Sequence, residues 1–192
     1  MRVRAFYAVA VAIAVLVEGA GGRAADVAVP VSLQGELLVK VAAYDKNLPS
    51  RAGSKVHVLV VVKSGDVSSE HAAKQIEKSL GGFSTIAGLP HDEEEIGWSN
   101  AAALASVTKQ RHASIVYVTP GFDEGEVSNI ASAFSGVDVL TAGAIAGYAP
   151  KGIVLGFDLV SSKPKLLCNL GQAKRQNVAF KAEVLKLMKV YE

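Results

Sequence analysis

The sequence of 192 residues contains a single cysteine, Cys168, and this scarcity limits what the protein can be. One cysteine cannot form an internal disulfide, so a small disulfide-stapled scaffold is excluded. Leucines occupy positions 166, 167 and 170 around it. A free cysteine in such surroundings usually packs as a small hydrophobic side chain, and we expect a buried, unreactive thiol in a strand.

Sequence motifs of several enzyme classes are also missing. The chain has no Gly-x-x-x-x-Gly-Lys-Ser/Thr loop, no Gly-x-Gly-x-x-Gly after a predicted strand and no Gly-x-Ser-x-Gly elbow. These absences argue against classical nucleotide-binding proteins and α/β-hydrolases. The histidines at 57, 71 and 112 lie in separate elements without metal-ligand spacing. We therefore predict a protein without catalytic residues, cofactor or metal, and not an enzyme.

Only one long apolar run is present, and it lies at the start of the chain. Residues 5–17 are apolar without interruption, a basic segment with Arg2 and Arg4 precedes them, and small residues lead to Ala24. This order is typical of a secretory signal peptide, and thirteen residues are too few to span a bilayer. We predict a signal peptide at 1–24, export to the periplasm and no membrane insertion of the remaining chain.

The charge that remains after residue 24 is balanced. Residues 25–192 contain 17 basic and 17 acidic side chains, which gives no support for nucleic-acid binding. The densest polar cluster, residues 91–95, has a cation site and a solvated acidic loop as its two interpretations, and we favour the loop because adjacent side chains on an extended segment point to opposite sides. A length of 168 residues suits one domain, 25–192.

Hydrophobic periodicity predicts an α/β fold. Helices are expected at 33–48 (ended by Pro49), 70–80, 99–111, 124–134 and from about 172, and strands at 55–63, 84–89, 113–118, 137–140, 152–160 and 164–170. The alternation predicts a mostly parallel sheet with helices on both faces, closing with an antiparallel hairpin and a C-terminal helix. Lysines on that helix could contact anionic headgroups or be a solvated face. The loop 120–124 after a strand is either a ligand loop or a helix start.

Two segments carry a family resemblance. At the carboxyl end, residues 152–191 resemble the signature of the YfiR-like family of exported bacterial proteins. At the amino end, the first helix resembles the family through a lysine, small residues and an aromatic. The matching residues are Gly152, Phe157, Lys163, Asn169, Ala173, Leu185 and Leu187 at one end and Leu38, Lys40, Ala42, Ala43 and Tyr44 at the other. Asn47-Leu48-Pro49 stands where the family often has Trp-Pro, and the paired cysteines of some members are missing.

The resemblance implies a periplasmic domain that acts by contact. In the better-understood members it restrains an inner-membrane diguanylate cyclase and lowers cyclic-di-GMP output. The candidate structural or interaction residues are Asn169, Phe157, Lys163, Lys40 and Tyr44. An asparagine at a strand end can fix the following turn through backbone hydrogen bonds, or contact a ligand. The partner would be the periplasmic part of a membrane signalling protein, homodimer formation stays open, and the alternative function is a single-lobe small-molecule-binding protein.

Overall fold

The computed structural model describes residues 27–192, so the predicted signal peptide lies outside the described residues. The helices are α1 Val31–Ala42, α2 Leu48–Ala52, α3 Val67–Leu80, α4 Ala101–Gln110, α5 Glu124–Ala133, α6 Leu170–Arg175 and α7 Ala182–Leu185, with a 3-10 helix at Ala146–Lys151. The strands are β1 Val56–Val62, β2 His91–Gly97, β3 Ile115–Val118, β4 Leu140–Gly143, β5 Leu155–Val160, β6 Lys163–Asn169 and β7 Lys189–Tyr191.

These strands form one sheet in the order β2-β1-β3-β4-β5-β6-β7. The pairs from β2 through β5 are parallel, β5 and β6 form an antiparallel hairpin, and β7 joins β6 in parallel. The predicted fold class, α/β with a mostly parallel sheet and an antiparallel hairpin near its end, is confirmed. Because strand order reverses between β1 and β3, the carboxyl ends of these two strands border a topological switch point.

Both faces of the sheet are covered, which explains the continuous apolar sequence of β1. Val58 and Val60 join the core on the face of α1 and α3. Leu59 and Val61 join a second core on the face of α4 and α5. Alternate residues of a strand point to opposite faces, so a strand buried on both sides has no polar alternation.

The acidic segment 91–95 is a strand, and its interpretation as a solvated loop was wrong. It forms most of β2, which pairs with β1 along all seven residues from Val56↔His91 to Val62↔Gly97. The strand predicted just before it, 84–89, is instead a turn closed by an isolated bridge between Ile86 and Leu89. Edge strands often carry charged side chains, and β2 is such an edge.

The helix predicted to run to residue 48 ends earlier. Helix α1 stops at Ala42, and Pro49 lies in the first turn of α2 rather than terminating a helix. The carboxylate of Asp45, between the two helices, is buried and bonded to Arg51 and to the backbone N–H of Ala179. These bonds to distant parts of the chain form at the position where another turn of α1 was predicted.

The end of the chain and one central strand also differ from the prediction. A single closing helix from residue 172 was expected, but α6 and α7 are short and the chain ends in β7. The strand predicted at 137–140 is β4, shifted to Leu140–Gly143. Asn169 caps α6, which starts at Leu170, two residues before the predicted start, and ends after six residues.

Candidate functional site

The carboxyl ends of β1, β2 and β3 bring a lysine and two aromatic rings together. Lys63 Nζ lies 2.7 Å from Glu126 Oε2 and donates to the carbonyl oxygen of Gly121 at 3.1 Å. The same ammonium lies 5.6 Å from the centre of the Phe122 ring. Trp98 meets that ring edge-to-face at 5.1 Å. The lysine charge is therefore already compensated within the chain.

Carboxylates occupy the helix N-termini at this edge. Asp66 caps α3 and accepts from Ser69 N–H at 2.9 Å. Asp123 caps α5 in a reciprocal box with Glu126, accepting from its N–H at 2.8 Å. A helix N-terminus attracts anions through its free N–H groups, but here the chain's own carboxylates satisfy them. The edge is consequently unfavourable for an anionic ligand.

Residues 27–30 cross the sheet at the same edge. Val29 is fully buried, and Val27 packs against the cores on both faces of the sheet. Gln34 Nε2 fixes this segment by donating to the carbonyl oxygens of Val29 at 2.8 Å and of Ala144, just after β4, at 3.0 Å. The chain itself thus occupies part of the crevice where open α/β sheets bind ligands.

Asn169, the most informative residue of the family signature, is buried at the end of β6. Its Oδ1 accepts from Gln172 N–H at 2.8 Å, and its Nδ2 donates to the carbonyl oxygen of Ala149 at 2.9 Å. These bonds connect β6, the start of α6 and the 3-10 helix. Asn169 also lines a surface groove of about 540 Å³ together with Lys151 and Arg175.

The other four candidate residues divide by exposure. Phe157 is 1% exposed and belongs to the core on the α1 face. Lys163 is exposed at the start of β6, and Lys40 is exposed on α1, where it lies 4.0 Å from Glu36. Tyr44 is 41% exposed. Of the five, Lys40, Tyr44 and Lys163 have exposed side chains, and Phe157 and Asn169 are buried.

A buried polar cluster around Arg51 was missed in the sequence. The side chain of Arg51 is 3% exposed, and its Nη1 lies 2.8 Å from Asp45 Oδ2. Its Nε pairs with Asp138, and its Nη2 donates to the carbonyl oxygen of Asn177 at 3.0 Å. Asn47, in the segment that departs from the family pattern, also donates to Asn177. No local spacing signals contacts between residues so far apart in the chain.

Ser114, His57 and Asp92 lie side by side across the sheet, on the residue before β3, on β1 and on β2. His57 is opposite Asp92 in the β1–β2 register, and the pairing of Val58 with Ile115 places Ser114 beside His57. His57 Nδ1 lies 2.6 Å from Asp92 Oδ1. Ser114 Oγ, however, is fully buried and has no hydrogen-bond partner in the described part of the chain. A serine nucleophile needs a base within hydrogen-bond reach and access to substrate, and this row provides neither.

Two structural features are missing from residues 27–192. In that range no helix combines the length and apolarity needed to cross a membrane. Within the same range, no three or more histidine, cysteine, aspartate or glutamate side chains converge to hold a metal ion.

The family model described as YfiR/HmsC-like matches residues 32–189. The chain belongs to the YfiR/HmsC-like family. The resemblance visible at the two ends of the sequence is therefore confirmed over almost all of the described structure. Comparison with curated proteins found no match.

Solved structures at 11–13% identity share the fold of this family member. A domain from Streptococcus pneumonia, described as an ABC domain in complex with L-Trp, has a TM-score of 0.61 at 11% identity, over 84% of this chain and 61% of that one. CD0873, a substrate binding protein from Clostridium difficile, has a TM-score of 0.57 at 11% identity, over 83% and 59%. A conserved domain protein from Vibrio cholerae has a TM-score of 0.57 at 13% identity, over 85% and 60%. The chain thus spans about three fifths of the length of each.

Proposed function

We propose that this YfiR/HmsC-like chain is an exported, non-enzymatic regulatory protein. As a single domain of residues 25–192 in the periplasm, it binds and restrains the periplasmic part of an inner-membrane signalling protein, a diguanylate cyclase or a similar sensor. The observation that carries the proposal is the family match over residues 32–189. The basic, apolar and small-residue segments of residues 1–24 support export.

Tyr44 is the contact residue that the geometry favours. Its ring is 41% exposed, and Lys181 Nζ lies 5.9 Å from the ring centre. The backbone is held on both sides, because Tyr44 N–H donates to Val41 and its carbonyl accepts from Lys181 N–H, each at 2.9 Å. Tyrosine is enriched at binding hot spots, and an already ordered side chain loses little entropy on binding. Lys40, one helical turn earlier, is exposed beside it.

The regulatory role is tested by the cellular concentration of cyclic-di-GMP. Deletion of the gene should raise it, and the full chain should restore the lower value. Tyr44→Ala should restore it poorly, whereas Lys46→Ala, an exposed neighbour, should act as the full chain does. A chain produced without residues 1–24 stays in the cytoplasm and should not restore it. Full restoration by that form would contradict a periplasmic site of action.

The partner is tested by photo-crosslinking in intact cells. A photoreactive amino acid at position 44 should give a crosslink to an inner-membrane protein. The same amino acid at Val67, which is 79% exposed and opens α3 at the other end of the strands, is the matched control. Crosslinks of equal yield from both positions would show that Tyr44 has no specific contact.

A single-lobe small-molecule-binding protein is the second candidate. The fold similarity to a domain described in complex with L-Trp favours it, as does the pair of Trp98 and Phe122 at the switch point. The covering segment 27–30 and the compensated Lys63 oppose it. Thermal unfolding with a panel of free amino acids distinguishes the two, because a ligand of the native state raises the midpoint. A rise that Trp98→Ala abolishes would favour this second function.

A further inference from the structure

The β5–β6 hairpin projects beyond the rest of the sheet. Strand β5 pairs with β4 only at Leu155 and Gly156, whereas its pairing with β6 continues to Val160. On the other side, β7 reaches β6 only at residues 167–169. Among residues 27–192, the outer half of the hairpin therefore has no neighbouring strand. Its tip exposes Leu159 (38%) and Val160 (53%).

Exposed apolar side chains concentrate around this hairpin. Four of the six large apolar side chains exposed among the described residues belong to it or to the segment beside it. Leu187, at 65% exposure, is tied to the hairpin because Lys165 Nζ donates to its carbonyl oxygen at 2.8 Å. We call this region the hairpin surface; it comprises Leu159, Val160, Lys163, Lys165, Lys186, Leu187, Lys189 and Val190.

Basic and acidic side chains are equal in number in residues 25–192 but are unevenly distributed along the sequence. Residues 158–192 contain seven basic and three acidic side chains, against ten basic and fourteen acidic in residues 25–157. None of those seven basic side chains takes part in an ion pair within residues 27–192. The four lysines of the hairpin surface consequently form no ion pair within residues 27–192, and Asp158 lies opposite one of them, Lys165, in the β5–β6 register.

We propose that the hairpin surface binds the headgroup region of anionic phospholipid membranes. Leu159 and Val160 enter the interface, and the surrounding lysines contact headgroup phosphates. Apolar side chains ringed by lysine are typical of peripheral membrane contact, and each lysine near an anionic surface strengthens binding about fivefold. An acidic protein fits less well, because protein interfaces are depleted in lysine and enriched in tryptophan, tyrosine and arginine, and none of these three enriched residue types belongs to the hairpin surface.

Vesicle co-sedimentation tests the proposal with the chain produced without residues 1–24. Vesicles of equal parts phosphatidylglycerol and phosphatidylcholine should bind it, and pure phosphatidylcholine should not. Binding should weaken as salt concentration rises. Lys163→Glu combined with Lys189→Glu should reduce affinity at least about tenfold. Leu159→Ser combined with Val160→Ser should also reduce it.

The control variant is Lys74→Glu combined with Lys109→Glu, which gives the same net charge at exposed positions on α3 and α4. It should bind the anionic vesicles as the unmodified chain does, and urea midpoints should show that all variants fold. Equal loss in the control pair would overturn the proposal, as would absence of binding to anionic vesicles. Salt-dependent capture of an acidic protein by this surface without vesicle binding would assign it to a protein partner instead. The proposed regulatory function does not depend on these outcomes.

Discussion

The guanidinium of Arg51 joins segments that are far apart in the sequence. It pairs with the fully buried Asp45 carboxylate at 2.8 Å and with Asp138, and it donates to the backbone of Asn177. Helix α2, the segment before β4 and the chain after α6 meet at this one side chain. We predict that Arg51→Met destabilises the fold more than the loss of any exposed cation.

The size of this destabilisation depends on the groups that remain in the folded state after Arg51 is replaced. Methionine fills much of the arginine volume, so the main cost is the Asp45 carboxylate left without its cation. Removing one partner of a buried ion pair costs about 3–5 kcal/mol. Asp45 keeps two backbone donors, the N–H groups of Asn47 and Ala179 at 3.1 and 2.9 Å. The other partner, Asp138, is 48% exposed and adds little. We therefore expect the low end of that range, about 3 kcal/mol.

Urea unfolding followed by circular dichroism measures this loss. The matched control is Arg111→Met, since the Arg111 side chain is 59% exposed and lies 3.3 Å from Glu94. An exposed pair of this kind contributes about 1 kcal/mol or less. Asp45→Asn added to Arg51→Met should recover part of the loss, because it removes the unpaired charge. Equal costs for the two methionine variants would refute the reasoning.

Three other predictions concern single side chains. Gly35→Ala should lower the unfolding free energy by about 1–3 kcal/mol, since the new Cβ would overlap with Ser79 Oγ and Cβ, and an unchanged melting temperature would argue against this contact. Burial and the carboxylate of Glu95 raise the pKa of Glu77. Because the pKa of Glu77 is higher in the folded than in the unfolded state, its ionisation lowers the unfolding free energy as pH rises. Glu77→Gln should therefore stabilise the fold at pH 7, and urea titrations should show this gain vanishing below about pH 4, where the carboxyl is protonated in both states. Burial raises the pKa of Cys168 to about 11, so a disulfide reagent at pH 8 should label it only after unfolding.

The elements that sequence predicts well are those whose signal is local. Valine-rich β1 and the apolar β3 indicate buried strands because packing on both faces requires that composition. The first turn of α6 was predictable for a similar reason, since Asn169 bonds the N–H only three residues later. Strand β2 has no such signal. Its pairing is imposed by β1, and charged side chains tolerate an edge position without favouring it.

The candidate site shows the same division. The exposure of Lys40 and Lys163 was predictable from polar positions on a helix and in a hairpin. The covering segment 27–30 was not, because it depends on Gln34 reaching a carbonyl oxygen 110 residues away, at Ala144. Tertiary bonds of this kind leave no periodic pattern in the sequence. For this reason the resemblance identified the family but could not show that residues 27–30 lie at the switch point.

The charged edge strand has a consequence for solubility. Backbone bonds from Val56 to Pro90 and from Trp98 to Val62 mark the two ends of its pairing with β1, so alternate backbone groups of β2 face outward. An open edge of seven residues is a template for intermolecular pairing and aggregation. Four consecutive carboxylates, residues 92–95, oppose that pairing at neutral pH. The same carboxylates that make β2 hard to recognise as a strand in the sequence prevent it from pairing with a strand of another molecule. Acidification protonates them and would therefore favour aggregation.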